Sequence, residues 1–266
     1  MQKIKIQCPA KINLTLKVIN KRDDGFHNIE SIMQTINLFD YLDITVENSD
    51  KTEILLSGNN TEIPYNEKNL VYKAAELFLT TTSILNKKIS IYIDKNIPVS
   101  AGLAGGSTNA AGTIYGLNKI FNNPLTDNQL HELCSKLGSD LNVCLKGGKL
   151  MSKGRGEIIE PMEFEELCVN LIKPINLGIS AKEAYTKFSQ KKEAGLGGRE
   201  NYINDLEWAV IDDYAELQEI KQKYPKSVMT GSGSTYYSTE NIFEQQKEYW
   251  VKNGLKTILS GVQETE

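Results

Sequence analysis

The chain has 266 residues, of which 40% are hydrophobic and 24% are charged, so it can form one large domain or two modest ones with a sizeable core. This composition leaves little room for a disordered, collagen-like or coiled-coil protein. With 30 basic against 34 acidic residues the formal charge is −4, which argues against broad binding to nucleic acid or anionic membranes and requires a local site for any anionic ligand.

Cysteine usage and hydropathy indicate the compartment. The four cysteines are scattered without a CxxC pair, and only His27 and His131 could join them around a zinc ion. No stretch reaches the roughly 18 apolar residues of a membrane span, and the opening residues lack the basic and apolar regions of a secretion signal. We therefore expect a cytoplasmic protein with reduced thiols, no structural metal and no membrane partner.

Strand patterns dominate the first third of the chain. Apolar and polar residues alternate from 3 to 18, and the interruption at Pro9 predicts two strands or one strand broken by a bulge. Further strands are predicted at 42–46, 54–56 and 89–93.

Helical spacing follows these strands. It predicts helices over 69–78 and from about Ser107 to Phe121, and a third helix capped by Thr126 or Asp127 that stops at Gly138. The order of strands, then helices, then a mixed region favours an α+β fold over a doubly wound sheet.

Glycines at 147–156 mark a weak boundary, and we expect two domains, 1–150 and 151–266. Beyond it, residues 194–199 are interpreted as a mobile surface loop rather than a ligand cradle, because no strand immediately precedes them. Helices are predicted over about 204–222 and 240–253, with strands near 228 and at 256–259.

The strongest chemical signal is the glycine-rich stretch 97–111, between a predicted strand and a predicted helix. Glycine allows close backbone approach, and the free N–H groups of a helix N-terminus suit an oxyanion. The spacing matches neither the P-loop nor the dinucleotide-binding fingerprint. It predicts a phosphate cradle, and the alternative is a tight turn with a hydroxyl cap.

A second cluster of glycines and hydroxyls covers 229–237. By itself such a cluster is more often a hairpin turn than a site. Two clusters in one chain favour the hypothesis that both face one polyanionic ligand.

Four further residues could carry chemistry. Lys11 follows the predicted strand break and could reach a phosphate or hydroxyl, although a solvated lysine is the simpler interpretation. Asp140 follows a helix stop and precedes an apolar run typical of a strand, so it could be a general base, an N-cap or a turn residue. His27 by itself is more often a surface or core residue, whereas an exposed Phe26 could stack on a base.

Taken in order, these motifs resemble those of the GHMP kinases, and in particular the branch whose acceptor is a cytidine-diphosphate-linked methylerythritol. The glycine loop marks only the superfamily, whereas 9–14 together with 24–27 is specific to this branch. The resemblance covers nearly the whole chain through the motifs at 9–14, 24–27, 98–111, 138–140, 204–207 and 231–235.

The resemblance implies a GHMP kinase fold, with a ribosomal-protein-S5-like N-terminal domain, an α+β C-terminal domain and the active site between them. It implies ATP-dependent phosphorylation of the acceptor's 2-hydroxyl in the non-mevalonate (methylerythritol phosphate) route to isoprenoid precursors, by a monomer or weak homodimer. Asp140 would accept or orient the hydroxyl proton, and Lys11 would keep Asp140 ionised and stabilise charge on the transferring group.

The resemblance also assigns ligand contacts. The expected ATP-binding residues are Asn69, Lys95, Pro98, Ala101, Gly102, Leu103, Ala104, Gly105, Gly106, Ser107 and Thr108. Mg²⁺ would accompany ATP, with Ser107 as its protein contact. His27 would read the cytosine, which would lie between Phe26 and Tyr185, while Asn13 and Asp140 would approach the erythritol. Because the protein is acidic, the helix terminus, Lys11 and Lys95 would supply the positive potential.

Three positions depart from the branch pattern. Phe26 replaces the usual tyrosine, Asn142 replaces a proline after the aspartate, and Ala181 stands where a threonine is common. These departures bear on substrate affinity more than on reaction type. They leave two alternatives open, namely a GHMP kinase for another small alcohol and a nucleotide-binding relative without catalytic activity.

Overall fold

The computed structural model describes residues 1–266 and contains two sheets with helices packed against them. The strands are β1 (Gln2–Asn13), β2 (Lys17–Lys21), β3 (His27–Asn48), β4 (Glu53–Gly58), β5 (Lys87–Asp94), β6 (Lys149–Lys153), β7 (Ile158–Pro161), β8 (Cys168–Pro174), β9 (Val228–Met229), β10 (Tyr236–Ser238), β11 (Tyr249–Lys256) and β12 (Gln263–Thr265). The helices are α1 (Leu70–Thr82), α2 (Gly105–Ile120), α3 (Asp127–Leu137), α4 (Leu141–Lys146), α5 (Ala181–Glu193), α6 (Asp205–Val210) and α7 (Ala215–Lys223).

The larger sheet has eight strands, with β12-β1-β3-β5-β4 along its main path, β2 and β6 paired with β3, and β7 paired with β6. The predicted interruption at Pro9 is confirmed, because the register of β1 against β3 shifts between Pro9 and Ala10. One face of this sheet is covered by α1, α2 and α3, whose apolar residues form a core with Ile6, Leu42 and Ile91.

The predicted starts of α1 and α3 are confirmed. Thr126 caps α3, and its side chain exchanges hydrogen bonds with Gln129 in a capping box. Asn69 caps α1 by accepting from the Val71 N–H. These starts depend on residues adjacent in sequence, which is why local patterns predict them.

The smaller sheet has the order β11-β8-β10-β9, and α5, α6 and α7 pack beside it. A third apolar cluster joins the two sheets, since Ala10 and Ile12 of β1 pack with Leu103 and with Val169 and Tyr237 of the smaller sheet. This shared cluster fixes the two halves relative to each other and forms the base of the groove between them.

Several predictions for the second half are wrong. Residues 240–253 are not helical, because β11 covers 249–256 in register with β8, and the Asn253 side chain bonds the N–H and the carbonyl of Phe243. The predicted helix over 204–222 is divided into α6, a 3-10 turn at 211–213 and α7. The strand-like run after Asp140 forms α4. At 249–256 the pairing of β11 with β8 overrides local propensity.

The sheets do not divide at the expected boundary between residues 150 and 151, which falls within β6. Strands β6 and β7 pair within the larger sheet, and the last strand, β12, returns to pair with β1. The division into two domains remains a prediction, with sheet pairing that crosses it. No helix has the length and hydropathy to cross a membrane.

Candidate active site

A cleft of about 530 Å³ opens between the two halves, within the size range of small-molecule sites. Most of the predicted site residues line it, namely Lys11, Asn13, Asn69, Lys95, Pro98, Ala101, Gly102, Ala104, Gly105, Gly106, Ser107, Asp140 and Tyr185. Leu103 and Thr108 are buried beneath the glycine loop, and Phe26 and His27 lie outside the lining.

The two glycine clusters meet at this cleft. Gly102 has φ +72°, and a Cβ added there would lie 2.1 Å from the carbonyl oxygen of Thr230. Gly231 has φ +56°, and a Cβ there would lie 2.8 Å from the Gly102 carbonyl oxygen. Only glycine permits both the left-handed backbone and this contact. The second cluster, 230–235, is thus a hairpin loop between β9 and β10 that also lines the cleft.

The N-terminus of α2 is open toward the cleft. Its N-cap is Ala104, which makes no side-chain cap hydrogen bond, and its first turn holds no acidic residue. The alternative of a hydroxyl-capped turn is therefore wrong. The first N–H groups of a helix have no partners within the helix, so this end suits an anion.

Lys11 and Asp140 converge in the cleft as expected. The Lys11 ammonium lies 3.3 Å from Asp140 Oδ2, and the two side chains are 3% and 28% exposed. Lys11 also donates to Asn13 Oδ1 at 2.7 Å and to the Gly102 carbonyl at 3.0 Å. The same ammonium therefore contacts strand β1, the glycine loop and the start of α4.

Asp140 occupies the N-cap position of α4 but makes no side-chain cap hydrogen bond. Its carboxylate faces Lys11 and the cleft instead, which favours a chemical role over a capping role. The first turn of α4 is held by Asn142, which donates to Ser135 Oγ and to the Glu157 carbonyl, each at 2.8 Å, and lies 3.1 Å from His131 Nδ1. The departure at Asn142 is thus accommodated by hydrogen bonds.

The motif at 204–207 supports the hairpin loop. The Asn204 side chain donates to the carbonyls of Met229 and Gly231 at 2.7 and 2.8 Å, and it caps α6. Asp205 is fully buried and pairs with Lys17 and Arg199. Asn204 therefore positions the cleft wall, whereas the Asp205 side chain contacts β2 and Arg199, and neither residue lines the cleft.

An aromatic group lies beyond the Asp140 end. The ring of His27 stacks on that of Tyr185 at 5.0 Å with a 17° angle, and its Nε2 lies 3.0 Å from Ser189 Oγ. Burial lowers the pKa of His27, and the charges of Lys21 and Lys192 lower it further. This imidazole is therefore neutral near neutral pH.

Arg155 is a cleft residue that the sequence interpretation missed. Its guanidinium lies 4.9 Å from the centre of the half-exposed Phe26 ring, and its Nη2 donates to the Ser135 carbonyl at 3.3 Å. The only sequence signal was a cation between two glycines, which we interpreted as a boundary. The Arg155 guanidinium lies at the side of the cleft where Phe26 lies, and its charge is partly compensated by Glu157, whose Oε1 is 3.6 Å from Arg155 Nε.

The charge of Lys95, in contrast, is compensated inside the protein. Its ammonium lies 2.7 Å from Asp40 Oδ2, with both side chains nearly or fully buried. Its net contribution to the positive potential of the cleft is therefore smaller than expected from the sequence, because a fully buried carboxylate opposes it.

The oxygen donors of the cleft suit a metal ion that is also coordinated by phosphates. No group of three or more His, Cys, Asp or Glu side chains could hold an ion alone. Ser107 and Asp140 offer oxygen donors in the cleft, and Mg²⁺ is commonly held by one or two protein oxygens together with substrate phosphates.

Comparison with known proteins identifies the family. The family model described as the GHMP kinases N terminal domain matches residues 69–148. The chain is 38% identical over 264 residues to the 4-diphosphocytidyl-2-C-methyl-D-erythritol kinase of Caldanaerobacter subterraneus subsp. tengcongensis, covering 91% of this chain and 90% of that protein. The chain belongs to this kinase family.

Further comparisons agree. The chain is 39% identical over 257 residues to the Clostridium perfringens (strain SM101) member of the 4-diphosphocytidyl-2-C-methyl-D-erythritol kinase family, covering 88% of each chain. A solved structure of 4-(cytidine 5'-diphospho)-2C-methyl-D-erythritol kinase matches with a TM-score of 0.72 at 24% identity, covering 96% of this chain and 99% of that chain.

A homoserine kinase structure from Cytophaga hutchinsonii also matches, with a TM-score of 0.71 at 15% identity, covering 100% of this chain and 98% of that chain. At these identities the structural matches bear on the fold alone. The expected α+β GHMP kinase fold is confirmed, and the chain is an ATP-dependent kinase of the 4-diphosphocytidyl-2-C-methyl-D-erythritol kinase family.

Proposed function

We propose that this kinase transfers the γ-phosphoryl group of ATP to the 2-hydroxyl of 4-diphosphocytidyl-2-C-methyl-D-erythritol, in the methylerythritol phosphate route to isoprenoid precursors. The single observation that carries the proposal is the Lys11–Asp140 pair, 3.3 Å apart, in a cleft bounded by two glycine loops. The choice of acceptor rests on family membership, since the chain is 38% identical to a 4-diphosphocytidyl-2-C-methyl-D-erythritol kinase.

The nucleotide phosphates would lie on the open N-terminus of α2. Its uncapped N–H groups at Gly105, Gly106 and Ser107 provide donors and a partial positive charge without a lysine from a P-loop. Gly102 and Gly231, whose backbones touch, would enclose the phosphates from the opposite side. Asn69 would lie toward the adenine end, whereas the Lys95 ammonium lies beneath Gly105 at the start of α2.

Asp140 would orient the acceptor hydroxyl and take its proton as the oxygen attacks the γ-phosphorus. The bond to the bridging oxygen of ADP breaks in the same displacement, and ADP leaves with that electron pair. Lys11 would place its positive charge beside the carboxylate and the transferring group. A positioned base contributes about 10²- to 10⁴-fold, so alignment and electrostatics would supply most of the acceleration.

The cytidyl end of the acceptor would use the aromatic group. Neutral His27 would contact a base edge through Nδ1, because its Nε2 lies 3.0 Å from Ser189 Oγ. Phe26 and the Tyr185 face that the His27 ring does not cover would offer surfaces for stacking. Asn13 would contact the erythritol. Arg155 lines the cleft and would balance part of the negative charge on the diphosphate, the remainder of its charge being compensated by Glu157.

Mg²⁺ would be held mainly by the nucleotide phosphates, with Ser107 as its protein contact and Asp140 nearby. When bound, it neutralises charge on the phosphates. We propose a cytoplasmic location, where ATP is the co-substrate and unpaired thiols such as Cys8 and Cys144 persist. The assembly would be a monomer or weak homodimer.

The test is ATP consumption by the purified full chain, with and without the cytidyl acceptor. We expect turnover that depends on this acceptor. Turnover only with homoserine or mevalonate would identify a kinase for another small alcohol. ADP binding without turnover on any acceptor would indicate a nucleotide-binding relative, and either result would refute the proposal.

A further inference from the structure

Asp40 is a fully buried carboxylate in β3 with four hydrogen bonds. Its Oδ1 accepts from the backbone N–H groups of Asn96 and Ile97, each at 2.7 Å. Its Oδ2 accepts from the Lys95 ammonium at 2.7 Å and from the Asn109 side-chain amide at 3.0 Å. Because a carboxylate has about four acceptor positions, its hydrogen-bonding capacity is used in full.

The partners of Asp40 share a location. Residues 95–97 connect β5 to the glycine loop, and Asn109 lies in the second turn of α2. Lys95 and Asn109 both line the cleft, whereas Asp40 lies beneath it. One carboxylate therefore ties a central strand to both ends of the segment that forms the proposed phosphate cradle.

The Lys95 ammonium lies directly under this cradle. A Cβ added to Gly105, the first residue of α2, would be 2.7 Å from Lys95 Nζ. Lys95 donates to Asp40 and to the Ile97 carbonyl, the latter at 2.5 Å. An ammonium has three donors, so one N–H remains for a ligand in the cleft.

We propose that Asp40 is a positioning residue for the nucleotide, acting through Lys95. Its charge holds the buried ammonium beneath Gly105, with one donor facing the cleft, and its two backbone contacts hold the entry to the loop. The inference rests on the proposed function, since the ligand it serves is the phosphate-bearing co-substrate. Without this counter-charge, a buried ammonium has no compensation for its lost hydration and leaves its position.

The first experiment replaces the carboxylate by its isostere in Asp40→Asn. This variant keeps the volume and the Oδ1 acceptor toward residues 96 and 97, but it turns an amide donor toward Lys95 and Asn109. We expect ADP, titrated in a calorimeter, to bind about tenfold more weakly, and the KM for ATP to rise similarly. The KM for the cytidyl acceptor should stay within about twofold of wild type.

Asp205→Asn is the matched control. Asp205 is likewise fully buried and paired with two cations, but it lies outside the cleft and contacts β2 rather than the glycine loop. It should lower thermal stability while leaving ADP affinity within about twofold of wild type. If both variants lose ADP affinity equally, Asp40 has only a structural role.

A double variant separates positioning from stability, and it decides the matter if Asp40→Asn does not fold. Lys95→Met with Asp40→Asn removes both charges and leaves no unpaired buried ion. We expect it to bind ADP no more weakly than Lys95→Met alone, because the replacement keeps the Oδ1 contacts to residues 96 and 97 and no ammonium remains for Asp40 to hold. Additive losses would overturn the inference.

The outcomes also separate this inference from the proposed function. If the wild-type chain binds no ADP, the proposed function and the inference both fail. If wild type binds ADP and phosphorylates the cytidyl acceptor while Asp40→Asn binds ADP equally well, only the role of Asp40 is refuted.

Discussion

The ammonium of Lys11 in β1 lies 3.3 Å from the carboxylate of Asp140 at the start of α4. Two segments distant in sequence therefore supply one charged pair, with the lysine buried and the aspartate partly open to the cleft. In such a partly desolvated position the charges act on each other, and on a bound ligand, more strongly than they would in water. The proposed chemistry depends on this convergence.

The contact between the glycine loops predicts a strong effect of Gly102→Ala. The added Cβ would lie 2.1 Å from the Thr230 carbonyl oxygen, at a backbone φ of +72°. We expect the variant to lose about 1–3 kcal/mol of unfolding free energy and to show a higher KM for ATP. Urea unfolding and initial-rate kinetics measure the two effects.

Gly197→Ala is the control for this variant, because a Cβ there meets nothing within 4 Å and Gly197 does not line the cleft. Gly197→Ala should leave the free energy of unfolding and the KM for ATP unchanged. A wild-type KM for ATP in Gly102→Ala would contradict the role of the loop contact.

Stacking on Phe26 predicts a selective loss of acceptor binding. Phe26 is half exposed and lies against Arg155. Because base stacking on an aromatic ring contributes about 1–3 kcal/mol, Phe26→Ala should raise the KM for the cytidyl acceptor by roughly 5- to 150-fold. The KM for ATP should change little, and Phe26→Tyr should retain wild-type values. Equal increases for both substrates would remove the stacking role.

The lowered pKa of His27 predicts a pH dependence of acceptor binding. Burial favours the neutral ring, so the unfolded chain binds the proton more tightly than the folded one. The associated stability is present above the ordinary value of 6.5 and is lost as pH falls through the lowered pKa. The KM for the cytidyl acceptor should rise over the same fall in pH, while the KM for ATP stays flat.

The measurement is KM for each substrate from about pH 5 to about pH 8. His27→Gln should flatten the acceptor profile. His131→Gln, which changes the other histidine, should retain the profile. An acceptor KM that is independent of pH in the wild-type chain would contradict the role of a neutral His27.

The raised pKa of Glu207 predicts a contribution to stability whose pH dependence is opposite to that of His27. Burial raises the pKa of this carboxyl, although Lys221 at 3.1 Å and the Met229 N–H partly offset the effect. The folded state therefore binds the proton more tightly, and this stability is present below the ordinary value of 4.5 and lost as pH rises through the raised pKa. Urea unfolding of wild type and Glu207→Gln across this range should show the decline only in wild type. An identical decline in both would assign it to other groups.

The sequence predicted those features that depend on neighbouring residues. The bulge at Pro9, the Thr126 cap and the glycine loop before α2 are encoded within a few positions, and the structure contains all three. Residues 31–34 of β3 and the strand β11 escaped prediction, and their pairing partners β6 and β8 are distant in sequence.

Distance in sequence also explains which site residues were predicted and which were missed. Family motifs indicated Lys11 and Asp140, whereas Arg155 enters the cleft only because β6 and β7 form a hairpin beside α3. Asp40 in β3 compensates the charge of Lys95, which follows β5. No local pattern indicates that these two strands pair.

The central claim is tested most directly by a single-turnover measurement with Asp140→Asn. Wild type and variant are loaded with ATP and the cytidyl acceptor, and phosphorylated acceptor is followed with time after ADP affinity is verified. We expect the variant to bind ADP almost as wild type does, while its phosphoryl transfer is slower by about 10²- to 10⁴-fold. A transfer rate close to that of wild type would contradict the proposed role of Asp140 and, with it, the mechanism built on the Lys11–Asp140 pair.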